Sequence, residues 1–499
     1  MCIRDRKKTY LILPLIGLFF SSCLDLSPIS EIGEDGFFAN DSEVLSGVNA
    51  CYNGLHAPLE YEWMLTDLRT DISRVKSKSS QTSISKDLMA LDESKASASL
   101  VEIEEYWNAT YNNIYRCNTV LKNIDNVKDE TKRKQYEGEA LFIRAYHYFN
   151  LVRLFGPVFK ITTTISADEA RELGRNSIDE IYALVKEDLN KIIDENLLPE
   201  SYGNSDLGRV TIWSAKTLLA KVYLTLKDYA NARTLLESVL GSNHKLVTSS
   251  YADVFSTSNE MNEEIIFAVR YKSGNVGLGN SFGNKFAPLN SGTNVIVGNG
   301  EGLNYPTSTL MNMYDAQDSR KSATVADSYL NKTTNTPTED FYVTKYLSPV
   351  TTVYDGEKDV PILRFADVLL MLAEIENEQN GPTTTAFGYL NQVRNRANLP
   401  SLSIADIDNK VAFRLAVENE RMLEFAYENQ RFFDLVRTGR YISVMNEHYK
   451  TELEQFSTKK YYEEDSQSIV KDVEEWQLLL PIPTAEIDVN PSISQNPGY

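Results

Sequence analysis

The stretch Glu137–Phe159, EGEALFIRAYHYFNLVRLFGPVF, decides how the rest of the chain is read. From Ala140 to Phe155 it is apolar almost all round, broken only by Arg144, His147, Asn150 and Arg153. Those four recur every three residues and draw one slanting polar stripe along a helix. A helix this apolar has to be enclosed by other helices. It ends where Gly156 can take a left-handed cap and Pro157 cannot extend the ladder. Lone buried arginines are costly, so Arg144 and Arg153 require carboxylate or carbonyl partners from elsewhere. The stripe is read as structural rather than catalytic.

Outward from this helix the pattern stays helical. Ser42–Leu55 and Val101–Ile124 lie before it, with helices at about 178–195, 211–227 and 229–240 after it. Leu219, Ala220, Tyr223, Ala232 and Leu236 sit at the offsets of a tetratricopeptide repeat, where small residues let paired helices approach closely. Leu369–Leu390 is a looser echo, with Leu372, Ala373 and Ala386 at matching offsets. Further helices are expected at about 362–379, 383–397 and 408–438. In the last of these, Arg421/Glu424, Glu428/Arg431 and Asp434/Arg437 are spaced to pair on a helix surface. Two excursions interrupt the helices. Ser73–Ser99 is polar and aromatic-free, and reads as a surface loop. Ser273–Tyr305 is crowded with Gly and Asn, so that no helix is expected to persist there; it follows a short strand at 264–269 and is long enough to suggest a functional loop. The Pro-punctuated tail from Leu478 reads as extended chain lying against the body.

The formal charge of −20 repels phosphate backbones and argues against a nucleic-acid partner. Residues 7–23, KKTYLILPLIGLFFSSC, place a basic start before an apolar run from Tyr10 to Phe20. That run is too short to span a membrane and has the layout of a secretory signal. Its ending, Phe20-Ser21-Ser22-Cys23, resembles a bacterial lipobox, which implies cleavage before Cys23 and acylation of that cysteine. Residues 1–22 are then a signal peptide, and 1–6 fit no signal design. Cys51 and Cys117 lie in helical sequence, and either a disulfide or two buried thiols is compatible with them.

Five blocks carry a family resemblance: RAYHYFNLVRLFGPV (144–158), PILRFADVLLMLAE (361–374), LNQVRNRANLP (390–400), ERMLEFAYENQRFFDLVRTG (420–439) and LPIPTAEIDVNPSISQNPGY (480–499). In this order, with the lipobox, they resemble the SusD/RagB lipoproteins of Bacteroidetes over Cys23–Tyr499. The resemblance implies one domain, 23–499, mainly α, with tetratricopeptide-like helix pairs as scaffold, few short strands and an irregular ligand-binding side. It implies a surface-exposed outer-membrane lipoprotein that binds nutrient oligosaccharide, or in some members peptide. It also implies a partner, a SusC-like TonB-dependent transporter on which the protein sits as a lid.

Enzyme signatures are weak. Gly279-Asn280-Ser281-Phe282-Gly283 matches G-x-S-x-G, but Gly, Asn and Lys flank it where a nucleophile elbow needs a strand and a helix. Glu420 and Glu424 share a helix face, yet Arg421 beside them marks an ion-pair lattice rather than a glycosidase pair. No metal motif and no cofactor motif is present. A secreted glycoside hydrolase or esterase, and a helical-repeat assembly protein, are the competing readings. For sugar binding the chemistry asks for exposed aromatic faces and forked polar groups. Tyr61, Trp63, Arg69, Asp71 and Arg74 lead into the first excursion; Tyr271, Phe282, Asn294, Asn304 and Tyr305 belong to the second. The resemblance implies that ligand contacts come from these two regions, with Asp71 a frequent participant. Tyr271 and Tyr305 would bracket an adaptable rim as ring platforms.

If Cys23 is the anchor, Cys23→Ala releases the protein from membranes or leaves it unprocessed. Fractionation with palmitate labelling reads this out, and wild-type protein that stays soluble and unlabelled contradicts it.

Overall fold

The computed structural model describes residues 37–75, 83–289, 291–458 and 472–499. The signal segment, Cys23 and residues 76–82 of the first excursion lie outside the described residues. The architecture is helical, with three two-stranded antiparallel ladders among the described residues.

The central helix runs Glu130–Phe155, capped by the Asp129 side chain at its start and by Gly156, at φ 72°, at its end. Val101–Lys122 and Ile178–Asp194 pack against it, and Ile212–Thr225 packs on the latter. Tyr229–Leu240 pairs with Ile212–Thr225, Phe365–Asn380 packs on Tyr229–Leu240, and Thr384–Arg396 pairs with Phe365–Asn380. The result is a stacked array of helix pairs. Both tetratricopeptide-like offsets therefore fall on real pairs. Ala145, Ala220, Ala232, Ala373 and Ala386 are buried at the close approaches. Between the first pair, Lys227 at φ 61° turns the chain and Asp228 caps the second helix. One hydrophobic cluster runs from Val44 to Ile493.

The stripe on the central helix finds its partners. Arg144 makes a two-pronged pair with Asp188 at 2.8 and 2.7 Å and donates to Asn118 Oδ1 at 2.9 Å. Arg153 donates to the Phe149 carbonyl at 3.0 Å and lies between the Phe149 and Phe433 rings. His147 meets Asn113 at 2.8 Å; burial lowers it to about 3, so it is neutral. Cys51 and Cys117 are buried free thiols.

Four expectations need correction. The helix expected at 408–438 is two, Lys410–Glu424 and Arg431–Arg437. Tyr427 and Asn429 take left-handed backbone (φ 64° and 59°) between them. The break turns the charges inward instead of leaving them on one surface. Arg421 meets Asp367 and Asp434 (2.7 Å each), Glu428 meets Lys345 and Arg364 (2.8 Å each), and Arg431 meets Asp71. Only Asp434–Arg437 pairs as the spacing suggested, at 2.9 Å. Second, the excursion 73–99 contains a strand, Ser73–Arg74, and a helix, Ser83–Asp92, in which Leu88 and Leu91 reach the core. Third, Ser273–Tyr305 does support a helix, Phe282–Phe286, whose two phenylalanines are buried. The expected strand, Ile265–Val269, pairs with Val360–Arg364. The tail does lie against the body, with Leu480 N–H bonded to the Leu154 carbonyl at 2.7 Å and Leu480 and Ile482 buried, but Thr484–Val489 is a helix where extended chain was expected.

The inward charges meet at Glu424. Its carboxylate accepts from Arg364 at 2.9 Å, Arg396 at 2.5 Å and Arg320 at 3.3 Å. Burial alone would raise its pKa, but the three guanidiniums outweigh that and hold the carboxyl well below the usual range. The stability it contributes is therefore complete above the ordinary glutamate range and is lost as pH falls through the depressed folded value. Glu424→Gln is expected to cost about 3–5 kcal/mol at pH 7, because the arginines lose a charge partner in the interior. In urea titrations the gap from wild type should narrow below about pH 4, where the unfolded chain's carboxylates take up protons. A variant as stable as wild type at pH 7 contradicts this placement.

Candidate ligand-binding site

The irregular side is built from Ser273–Tyr305 and from the turn region 347–358. Its asparagines act as clamps on backbone. Asn280 and Gly356 exchange backbone hydrogen bonds at 2.7 and 2.9 Å, and the Asn280 amide donates to the Lys358 carbonyl at 2.7 Å. Asn284 donates to the carbonyls of Val297 and Asn299 and accepts from the Tyr354 N–H at 2.9 Å. Asp355 accepts from the N–H groups of Gly274 and Asn275, both at 2.8 Å. A side chain at Gly279 would run into the Asp355 backbone 2.5 Å away, so glycine is required there. The expected adaptable rim is thus a knitted one.

The sequence candidates fall mostly beneath that rim. Ser73–Arg74 pairs with Tyr305–Pro306, so the two excursions meet. At that ladder, Asn304 accepts from the Ser73 hydroxyl and is fully buried. Tyr271 and Tyr305 are 4% and 3% exposed, which corrects their reading as ring platforms. Tyr271 stacks on His56 at 4.6 Å, and Tyr305 points its hydroxyl at Asp340, 3.4 Å away. Trp63 is buried edge-on to Phe286, with its N–H on the Glu60 carbonyl at 3.0 Å. Arg69 is buried over the Phe432 ring and donates to the Gln477 carbonyl at 2.8 Å. Asp71 is committed to Arg431 through both oxygens, at 2.8 and 2.7 Å. Burial opposes its ionisation, but Arg431 prevails and lowers its pKa. Asp71 also lines a cleft of about 380 Å³ with Thr309, Arg440, Ser443, Glu447 and His448. Asn294 is exposed, donating to the Leu330 carbonyl at 2.8 Å, and Arg74 is half-buried.

The residue that fits a sugar face was missed. Tyr354 is 45% exposed and sits at φ 61°, an uncommon backbone for an aromatic residue. The strain is held by the Asn284 clamp before it and the Asp355 clamp after it. Val353 beside it packs where Gly298, at φ 83°, leaves room. A hydrogen bond to Glu301 pushes the Tyr354 phenol up to about 12, so it remains a protonated donor. An exposed ring with a carboxylate beside it forms a surface suited to a pyranose face and its hydroxyls. The signal in the sequence was Tyr354-Asp355-Gly356, a turn tripeptide outside both excursions.

The catalytic alternatives find other chemistry. Ser281 donates to both oxygens of Glu60 at 2.9 and 2.8 Å, while His56, His147 and His244 bond to Arg270, Asn113 and Glu263. Glu420 and Glu424 are buried, with their oxygens taken by arginines. Among the described residues, no three His, Cys, Asp or Glu side chains gather as a metal site requires.

Two family profiles match the chain: the SusD family over residues 325–499, and "Starch-binding associating with outer membrane", a SusD-like family, over residues 23–224. The chain belongs to the SusD/RagB family. SusD-like protein P25 of Formosa agariphila is 28% identical, with 98% of this chain and 99% of that protein aligned. Starch-binding protein SusD of Bacteroides thetaiotaomicron is 26% identical over 77% of this chain and 76% of its own length. Among solved structures, surface glycan-binding protein A of Bacteroides thetaiotaomicron in complex with laminarihexaose superposes with a TM-score of 0.74 at 22% identity. That match covers 92% of this chain and 99% of the other, and it shows the shared fold. Glycan-binding proteins are thus among the relatives that share this chain's family and fold.

The contrast between buried and presented tyrosines is measurable. Tyr305→Ala should cost about 3–5 kcal/mol of stability as a core aromatic deletion, whereas Tyr354→Ala should stay within about 0.5 kcal/mol of wild type. Equal losses in denaturant titrations would contradict the burial assigned to them.

Proposed function

We propose that the protein is a cell-surface lipoprotein that captures nutrient oligosaccharide and acts as the lid of a SusC-like TonB-dependent transporter in the outer membrane. The observation that carries the ligand reading is Tyr354, an aromatic ring held out from the irregular side by a strained, clamped turn. Backbone strain of this kind persists only where surrounding structure over-determines it, and it clusters at ligand sites. Family membership supports the partner and the outer-membrane location, and the Cys23 leader supports the anchor. The relative that binds starch and the structural neighbour that holds laminarihexaose support a glucan as the first ligand to test. A capture protein that hands its cargo on has no need of chemistry, so the proposal includes no catalytic residue.

The test is calorimetry on the chain lacking residues 1–23, with malto-, laminari- and other neutral hexasaccharides, and with peptides as the contrasting class. Binding in the micromolar range, about −8 kcal/mol, is expected for one glycan class. Tyr354→Ala should weaken it by about 1–3 kcal/mol, by analogy with other aromatic stacking platforms. Recovered ligand should be intact. Cleaved ligand overturns the binding-protein reading, peptide-only binding overturns the glycan reading, and unchanged affinity in Tyr354→Ala moves the site elsewhere.

A further inference from the structure

A second cleft of about 380 Å³ opens where helix Asp41–Asn53 turns into helix His56–Leu65. It is lined by Asn49, Tyr52, Asn53 and His56 from these helices, by the Asp206–Arg209 loop, and by Val269, Arg270 and Leu278. Of these residues only Leu278 lies in the Ser273–Tyr305 segment, and none is Tyr354 or one of its clamps, Asn284 and Asp355. The volume lies at the lower end of the range for small-molecule sites, about 300–1,000 Å³, and suits a mono- or disaccharide.

Three features restrict what it takes. First, its charges are already matched. Arg209 pairs with Glu139 at 2.7 Å and Asp206 at 2.8 Å, and Arg270 pairs with Glu260 at 2.5 Å and Asp359 at 2.7 Å. A charged ligand would have to displace one of these partners; a neutral one would not. Second, hydrogen-bonding capacity is left over. The Asn49 carbonyl oxygen accepts from Arg209 at 2.8 Å, which fixes its amide and leaves the NH₂ group to donate. The exposed Asn53 amide has no hydrogen bond among the described residues. His56 Nε2 meets the Arg270 carbonyl at 2.8 Å, and a carbonyl can only accept. The ring therefore carries its proton on Nε2, and burial, which lowers its pKa, keeps it neutral. Nδ1 is thereby left as an acceptor. Third, Leu207, which is 43% exposed, and Leu278 give apolar surface between these polar groups.

Neutral donors, a neutral acceptor and apolar patches in one small cleft match a polyol with C–H faces. We propose that this cleft is a second carbohydrate site, taking a short neutral saccharide of one or two rings independently of the Tyr354 rim. A protein with both would hold one long chain at two points, or would sense short products apart from long cargo.

The test is ligand-observed saturation-transfer NMR and calorimetry with a panel of neutral disaccharides (maltose, laminaribiose, cellobiose, mannobiose) and a uronic-acid disaccharide as the charged comparator. Four proteins are compared: wild type, Tyr354→Ala, Asn53→Trp and Leu207→Trp. Asn53 and Leu207 are exposed and line the cleft from different segments, so each tryptophan fills it without entering the core; melting temperature checks folding. The expected result is a neutral disaccharide bound by wild type and by Tyr354→Ala alike, with at least tenfold weaker binding in both tryptophan variants. Retention in Tyr354→Ala separates this site from the rim, so failure of the rim proposal leaves it standing. No neutral disaccharide bound, preference for the uronic acid, or affinity indifferent to both tryptophans would overturn it.

Discussion

One buried cluster of charges ties the strands and the hairpin of this protein to its helical scaffold. Five cations, Arg320, Lys345, Arg364, Arg394 and Arg396, face five carboxylates, Glu264, Asp318, Glu420, Glu424 and Glu428. The cluster is balanced, which is what allows it to be buried. Glu424 is its hub. Arg364 ends the strand Val360–Arg364, Glu264 precedes the strand paired with it, and Arg396 ends the helix Thr384–Arg396. Arg320 and Lys345 stand just before and just after the hairpin of strands Val325–Leu330 and Pro337–Val343. The chain thus leaves the scaffold and returns to it at ionic anchors. Such a cluster need not exceed a well-packed apolar core in net stability. What it favours is one register, because each of these segments brings charges whose partners lie in the others.

That constraint has a consequence for binding. A segment rich in Gly and Asn would be costly to order at the moment a ligand arrives. Here the cost has been met on folding: asparagine amides at 280 and 284 replace missing backbone partners, and Asp355 holds the turn that presents Tyr354. A surface ordered in advance binds with less entropic penalty than one that closes around its ligand. The tyrosines follow the same division. Tyr271 and Tyr305 are structural rings under the rim, while Tyr354 stands on it.

The helical half was legible in the sequence because periodicity and caps are local. The apolar run Ala140–Phe155, the cap at Gly156 and the small residues at Ala220 and Ala232 each state a packing rule by themselves. The demand of Arg144 for a carboxylate was legible too, but not its partner Asp188, which lies in a different helix. The rest depended on distance in the chain. Arg421, Glu424, Glu428 and Arg431 had helical spacing, and local reasoning placed them on one surface; each has a partner in a distant segment, 54, 60, 64 and 360 residues away. Exposure failed for a similar reason. Whether Tyr305 or Tyr354 meets solvent is decided by the ladder with Ser73–Arg74 and by the clamps at Asn284 and Asp355. Neither is visible in composition. The family resemblance carried the fold, since its five blocks are scaffold blocks, and it led to neither Tyr354 nor its clamps.

The central claim is that the irregular side is pinned to the scaffold before any ligand is bound. Native-state amide hydrogen exchange, read peptide by peptide over 273–305 and 344–358 without and with saturating glycan, tests it directly. The account predicts that Asn280, Asn284, Tyr354 and Gly356 are slow to exchange in the free protein, opening at a free energy near that of the Lys410–Glu424 helix. Glycan should then change exchange only around Tyr354. Fast exchange across both segments in the free protein, with protection arriving only with ligand, would contradict it.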